Sequence, residues 1–409
     1  MSVTVRPITE AEWPAFVAVD YEAFNASYPP EVSERWREIA EIDRSLSAFD
    51  GDLMVGCAMA LSLTMTVPGG PIPVAGVTAV GVLPSHRRRG VLSALMTHQL
   101  RELHDSGREA VAALYATEAG IYGRFGYGRA VDNLFFRVPT RMSAFVPHAP
   151  ADPALRLRVA APAEALPELR RVFDAVRLRR PGMYARSERL WRIEVLADEE
   201  RDRGGNGPLR CMIVEDAEGP RGYALFRVKS RTTDHDVPDG EVLLKELFAT
   251  DPAAYALAWR SVLDRDLCSS VYAWNRPVDD PLAHLLAEPR HLNAGWLDEL
   301  WIRLVDVDRA LTSRTYAAPA DLVIEVADER CPWNAGRWRL TTAKGLCERT
   351  GDPADLTLPV DALGAAYLGG RPLRALADAG LVREHREGAL QELSAAMAWD
   401  PKPWTGMVF

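Results

Sequence analysis

The 409-residue chain has little of what staples small or metal-held folds together. Its five cysteines, Cys57, Cys211, Cys268, Cys331 and Cys347, are odd in number and scattered, with no Cys-x-x-Cys. Neither a disulfide framework nor a zinc knuckle follows, and the thiols are expected to be reduced core fillers. The eight histidines form no His-x-x-x-His or His-Glu-x-x-His spacing, so no metal site is expected. Positive charge is in deficit: 48 Lys and Arg stand against 57 Asp and Glu, a formal net charge of -9. A protein that neutralises many phosphates presents a basic face, so nucleic acid is not an expected partner. No apolar run reaches the roughly 18 residues a membrane-spanning helix needs, so no membrane association is expected either. The first residues carry Glu10 and Glu12 and no apolar stretch of the secretory kind, so a cytoplasmic location is expected. The basic turn described below matches neither Gly-x-x-x-x-Gly-Lys-Ser/Thr nor Gly-x-Gly-x-x-Gly.

What remains is an ordinary globular composition, 48% hydrophobic and 26% charged, long enough for about two to four domains. Thr9 and Glu12 stand at capping-box spacing ahead of Trp13, Phe16 and Val17, which predicts a helix over about 10–24. Strands are expected at 53–63, 77–82 and 111–115. Between the last two, Val91, Leu92, Leu95, Met96, Leu100 and Leu103 recur at helical spacing up to Gly107. Strand, helix, strand makes a βαβ unit and a locally parallel pair. A Pro- and Ala-rich segment, Val146 to Pro153, reads as a linker. The order strand, turn, helix, strand then recurs at 241–248, from Asp251-Pro252 onward, and at 270–274. From Trp296 an α+β region follows, with strands at 300–307, 322–326, 338–342 and 356–359 and helices at 361–368, 373–379 and 388–398.

The chemistry concentrates in one segment. After the strand ending at Val82 come Pro84-Ser85-His86-Arg87-Arg88-Arg89-Gly90, and a helix opens at Val91. A helix N-terminus offers unpaired N–H groups and partial positive charge, which suits a pyrophosphate. Gly90 permits close backbone approach, and the arginines add charge. Taken alone, such a turn is as well explained as a solvated basic loop; the flanking strands and helix favour a phosphate site. Downstream, Ile121-Tyr122-Gly-Arg-Phe125-Gly-Tyr127-Gly128 follows the second parallel strand. Phe125 and Tyr127 read as core aromatics, whereas Tyr122, early in a short helix, is placed to face a cleft.

Together the two segments resemble the GNAT superfamily of N-acetyltransferases. Arg87 to Leu92 matches its [QR]-x-x-G-x-[GA] motif, except that Leu92 replaces the usual Gly or Ala. The pairing of His86–Leu92 with Ile121–Gly128 is similar to the enhanced intracellular survival (Eis) family, with which the length, the three-part layout and the apolar C-terminus agree. That resemblance implies an α/β (α+β) architecture of tandem GNAT folds followed by a sterol-carrier-protein-like domain. The expected parts are a catalytic domain at 1–150, a degenerate acetyltransferase-like domain without a CoA site at 151–295, and the carrier-like domain at 296–409. It implies a homohexamer and acetyl transfer from acetyl-CoA to a small-molecule or lysine amine.

By motif match, acetyl-CoA is expected at Val80, Gly81 and Val82 on the strand, at Arg88, Arg89, Gly90, Val91, Leu92 and Ser93 in the turn, and at Thr117 and Glu118. Tyr122 matches the family's general acid. Residues 76–83 contain no Asp or Glu to act as base, and the family's answer is the terminal carboxylate, here on Phe409. Burying Met407, Val408 and Phe409 would carry that group inward. Trp36 and Phe24 are the acceptor-side candidates; core packing is the stronger reading for Phe24, a pocket role for Trp36. Asp20 and Glu22 are of a type that could attract an ammonium, but a solvated face is the stronger reading for both. Between Phe248 and Trp259 neither glycine nor arginine occurs, and Asp251 would repel a phosphate. The alternative to an enzyme is a lipid- or sterol-like carrier working through its last domain, and a further one is an N-myristoyl- or arginyl-type transferase on a related fold.

Overall fold

The computed structural model describes residues 3–409. Two compact units emerge, one made of 3–131 with 298–409, the other of 132–297.

The first unit opens with β1 (Thr4–Pro7), α1 (Trp13–Phe24), α2 (Pro30–Arg37), β2 (Ser45–Asp50), β3 (Leu53–Val67) and β4 (Gly70–Val82). It continues through α3 (Val91–Ser106), β5 (Val111–Tyr115), the single turn α4 (Ala119–Tyr122) and β6 (Gly128–Arg129). The expected capping box forms ahead of α1: the Thr9 N–H donates to the Glu12 carboxylate at 2.8 Å. Helix α3 ends where Gly107 takes φ 62°. It buries Val91, Leu95, Met96, Leu100 and Leu103, each worth roughly 1.5–3 kcal/mol.

The second unit holds β7 (Asp132–Pro139), β8 (Arg156–Ala160), α5 (Leu166–Arg177), the short α6 (Glu188–Leu190), β9 (Arg210–Asp216), β10 (Gly219–Lys229) and β11 (Gly240–Ala249). Then come α7 (Pro252–Leu263), β12 (Cys268–Pro277), α8 (Leu282–Leu285) and β13 (Gly295–Asp298). The Pro- and Ala-rich segment expected as a linker is part of this unit. The Val146 N–H donates to the Leu285 carbonyl at 2.8 Å, and Phe145, Ala149 and Leu155 pack on the unit's core. Composition gave the loop character correctly but not the apolar side chains that seat it.

The chain then returns to the first unit with β14 (Leu300–Leu304), α9 (Val307–Thr312), β15 (Asp321–Ala327), β16 (Gly336–Thr341), β17 (Leu346–Arg349) and β18 (Leu356–Pro359). It finishes with α10 (Val360–Ala366), α11 (Leu373–Asp378), β19 (Arg383–Glu384) and α12 (Ala389–Met397). Three sheets result. Their orders are β1-β2-β3-β4-β5-β14-β6, β13-β7-β12-β11-β10-β9-β8 and β17-β16-β15-β18-β19. Each contains a parallel pair: β4 with β5, β11 with β12, and β15 with β18. Both seven-stranded sheets thus repeat one plan. In each, the strand beside the parallel pair is distant in sequence: β14 pairs with β5, and β7 with β12. The segment 300–307 read as the opening strand of the last domain is therefore a strand of the first sheet, and it turns into helix α9 at Val307.

Candidate active site

Strands β4 and β5 pair in parallel only through Ala75–Ala112, Gly76–Ala113 and Val77–Leu114. From Thr78 and Tyr115 onward they separate. The register of β4 against β3 also slips there, from Met59–Thr78 to Cys57–Gly81. Ala79 sits at this bulge with φ 51°. A bulge leaves backbone groups out of the ladder and re-aims the strand. Val80, Gly81 and Val82 thus lie on a strand arm that β5 no longer covers.

The basic turn follows at the end of this arm. Arg88 has φ 61° and Gly90 φ 84°, two left-handed residues that swing the chain into α3. A Cβ at Gly90 would meet nothing within 4 Å, so open space stands before the helix. Arg88, Arg89 and Gly90 are exposed, while Val91 is buried and Leu92 and Ser93 half-buried. Leu92, the departure from the motif, packs on the cluster of Val77, Met96 and Phe125. Its side chain turns toward the core, and its backbone stays at the first helical turn. Arg87 is engaged otherwise. Its guanidinium donates to the Ala23 carbonyl at 2.9 Å, and so ties the turn to the end of α1.

At the end of β5, Thr117 and Glu118 are exposed, and α4 carries Tyr122 next. The Tyr122 ring is buried among Met96, Phe125 and Tyr127, 6.1 Å from the Tyr127 ring in an edge-on contact. Its hydroxyl has no hydrogen-bond partner among the described residues. Burial, reinforced by Glu118, pushes the phenol up to about 12.

The C-terminal tail runs to the opening between β4 and β5. Thr405 donates to the buried Glu299 carboxylate at 2.6 Å, and Tyr115 donates to the Met407 carbonyl at 2.5 Å. The Phe409 ring meets Tyr115 edge-on, with centroids 5.0 Å apart. Thr78 Oγ1 lies 3.4 Å from the Phe409 terminal oxygen. A side chain at Gly76 would meet the Phe409 ring at 3.0 Å and Leu63 at 2.4 Å, so the glycine makes room for the tail. Trp404, Met407 and Phe409 are buried, and Val408 is half-buried. The tail therefore ends at Thr78 and Tyr115, the residues just past the last paired ones.

Helix α1 lies across the other arm of β4. A Cβ at Gly81 would meet the Ala23 Cβ at 2.7 Å. Phe24, expected in the core, is 43% exposed at the end of α1; the left-handed Asn25 closes the helix there. Trp36 is half-buried on α2. Asp20 departs from the solvated face expected of it: burial raises its carboxyl to about 6, while Glu22 is exposed. Thr78, Tyr115 and the Ala79 bulge also escaped the sequence reading. A polar Thr in an apolar strand was a visible signal; the bulge had none.

These features define an acyltransferase of the GNAT class, and the family models agree. Residues 4–130 and 182–304 each match an acetyltransferase (GNAT) domain, and 307–406 match a sterol carrier protein domain. An uncharacterized N-acetyltransferase of Streptomyces avermitilis is 45% identical over 99% of both chains. N-acetyltransferase Eis of Mycobacterium tuberculosis is 34% identical over 100% of both. Eis1 from Mycobacterium abscessus superposes with a TM-score of 0.83 at 33% identity, over 99% of this chain and 100% of that one. The chain belongs to the Eis family of N-acetyltransferases. It is an acetyl-CoA-dependent acetyltransferase, and its carrier-like domain is one part of an enzyme. No helix among the described residues is long and apolar enough to cross a membrane.

Proposed function

We propose that the acetyl group passes directly from acetyl-CoA to an amine of a cationic acceptor, an aminoglycoside, a polyamine or a lysine, in the splay between β4 and β5. The amine nitrogen bonds to the thioester carbon as the carbon–sulfur bond breaks. The terminal carboxylate of Phe409 takes a proton from the amine, and Tyr122 gives one to the departing thiolate. The observation that carries this reading is the Phe409 oxygen 3.4 Å from Thr78 Oγ1, at the point where the parallel pair opens. No carboxylate belongs to β4 between Gly76 and Val82, so the tail supplies what the strand lacks. With a phenol near 12 against a reference thiol near 8.5, full proton transfer from Tyr122 is uphill. The acid therefore acts as charge builds on sulfur, through position rather than acidity.

CoA is read onto Val80–Val82, Arg88–Ser93, Thr117 and Glu118, with Phe24 and Trp36 on the acceptor side. The second sheet is read as carrying no CoA site. There Asp251 caps α7, accepting from the Ala254 N–H at 2.9 Å, and places a carboxylate where phosphates would need donors. The family resemblance also supports a homohexamer.

The test combines titration calorimetry of acetyl-CoA with thiol release against putrescine, kanamycin and a lysine peptide. One acetyl-CoA per chain and turnover of at least one amine are expected. No binding together with no thiol release from any acceptor overturns the reading.

A further inference from the structure

Asp20 is a carboxylate without a counter-ion among the described residues. It lies on α1 beside Gly81 and Cys57: the Asp20 Cα is 3.9 Å, and the Cys57 Sγ 3.3 Å, from where a Gly81 Cβ would sit. Its Oδ1 is buried and accepts no hydrogen bond among the described residues. Arg87, the cation that reaches α1 here, spends its guanidinium on the Ala23 and Val82 carbonyls. A buried polar atom of this kind normally has a partner, because leaving it bare costs free energy.

The face on which it lies is informative. Val77 and Val80 pack toward α3. Gly76 faces the Phe409 ring and Gly81 faces α1. Side chains alternate along a strand, and the bulge at Ala79 resets the alternation by one. Positions 76, 78 and 81 therefore share one face. Asp20 and the Phe409 terminus stand over that same face, on either side of the bulge. Thr78 and Gly81 are three residue steps apart, one of them taken up by the bulge, or about 7–10 Å at about 3.3 Å per residue.

We propose that Asp20 is an acceptor-binding residue that holds a second ammonium of the substrate, about 7–10 Å from the amine that reacts beside Thr78. The acceptors this geometry selects carry two amines at that separation, as extended diamines do. The inference rests on the acetyl-transfer reading above and adds to it a substrate dimension.

The test uses the full chain, wild type and Asp20→Asn, at saturating acetyl-CoA. Thiol release is followed with α,ω-diaminoalkanes from 1,3-diaminopropane to 1,8-diaminooctane and with n-alkylamines of matching length. Wild type is expected to show its highest kcat/KM at an intermediate diamine length. In Asp20→Asn the diamine kcat/KM should fall about tenfold further than that of the matching monoamine, mainly through KM. The amide keeps the shape and removes an unpaired charge, so Tm should hold or rise. Equal losses for both acceptor series, or an unchanged diamine KM, overturn the role of Asp20 while leaving acetyl transfer intact. No thiol release from any amine, in wild type as well, overturns the acetyl-transfer reading and this one with it.

Discussion

At the scale of single residues, the environment of Tyr122 limits what its hydroxyl does. Burial holds the phenol near 12, so it keeps its proton throughout any practical assay. Its charge state cannot produce a loss of activity on raising pH to about 10, and an alkaline limb below that belongs to another group. Tyr122→Phe keeps the ring in its contacts with Phe125 and Tyr127. The expected outcome is a fall in kcat of about 10²–10⁴, the span of acid–base groups, with acetyl-CoA affinity unchanged in calorimetry. A variant with wild-type kcat would leave Tyr122 a packing residue. Asp20 shows why residue-scale reading can mislead. A solvated face shared with Glu22 is not open to it, because residues two apart on a helix point about 160° away from each other. Glu22 is exposed, and Asp20 is half-buried against β4 at Gly81.

At the scale of elements, the proposed cofactor site makes the turn into α3 the determinant of acetyl-CoA affinity. Gly90 has φ 84° with open space before it, and the N–H groups of the first helical turn follow. Gly90→Asp sets a carboxylate in front of those donors. Acetyl-CoA binding should weaken by roughly 2–5 kcal/mol, read by calorimetry; Tm should fall modestly, because the added side chain meets no neighbour but a non-glycine residue at φ 84° is strained, by about 1 kcal/mol. Unchanged affinity would remove the turn from the cofactor site. These elements were legible because local pattern writes them. The strand at 111–115 is seen with its expected bounds, Val111–Tyr115, and α3 starts at Val91 as predicted and runs to Ser106, just short of Gly107. The capping box at Thr9 and Glu12 forms as its spacing required. What stayed hidden depends on partners far along the chain. Leu300–Leu304 looks like any apolar strand, and nothing local says that its neighbour is β5 rather than β15. The opening of β4 from β5 has the same origin. It depends on where pairing stops, which the strand's own residues do not encode.

At the scale of the whole molecule, the last residues of the chain return to the first sheet. Trp404, Thr405, Met407 and Phe409 are all buried, and burial of the three apolar side chains is worth roughly 1.5–3 kcal/mol each. That is enough to hold an end that would otherwise fray. The Thr405 bond to Glu299 and the Tyr115 bond to the Met407 carbonyl fix its register, so the position of the Phe409 carboxyl follows from the seating of the tail. Two readings of that seating differ in outcome. If the tail only fastens the carrier-like domain, the charge on its last atom is irrelevant. If the carboxylate takes the amine's proton, the charge is essential. A semisynthetic protein ending in a Phe409 carboxamide keeps every packing contact and removes the base. An added glycine keeps the charge but moves it by up to about 3.8 Å. Both should lower kcat by about 10² or more, with Tm, sedimentation and acetyl-CoA affinity near wild type. The carboxamide form discriminates more sharply, because it adds no atoms that the site must accommodate. Wild-type turnover in that form would show that the tail is a fastener and that the base lies elsewhere.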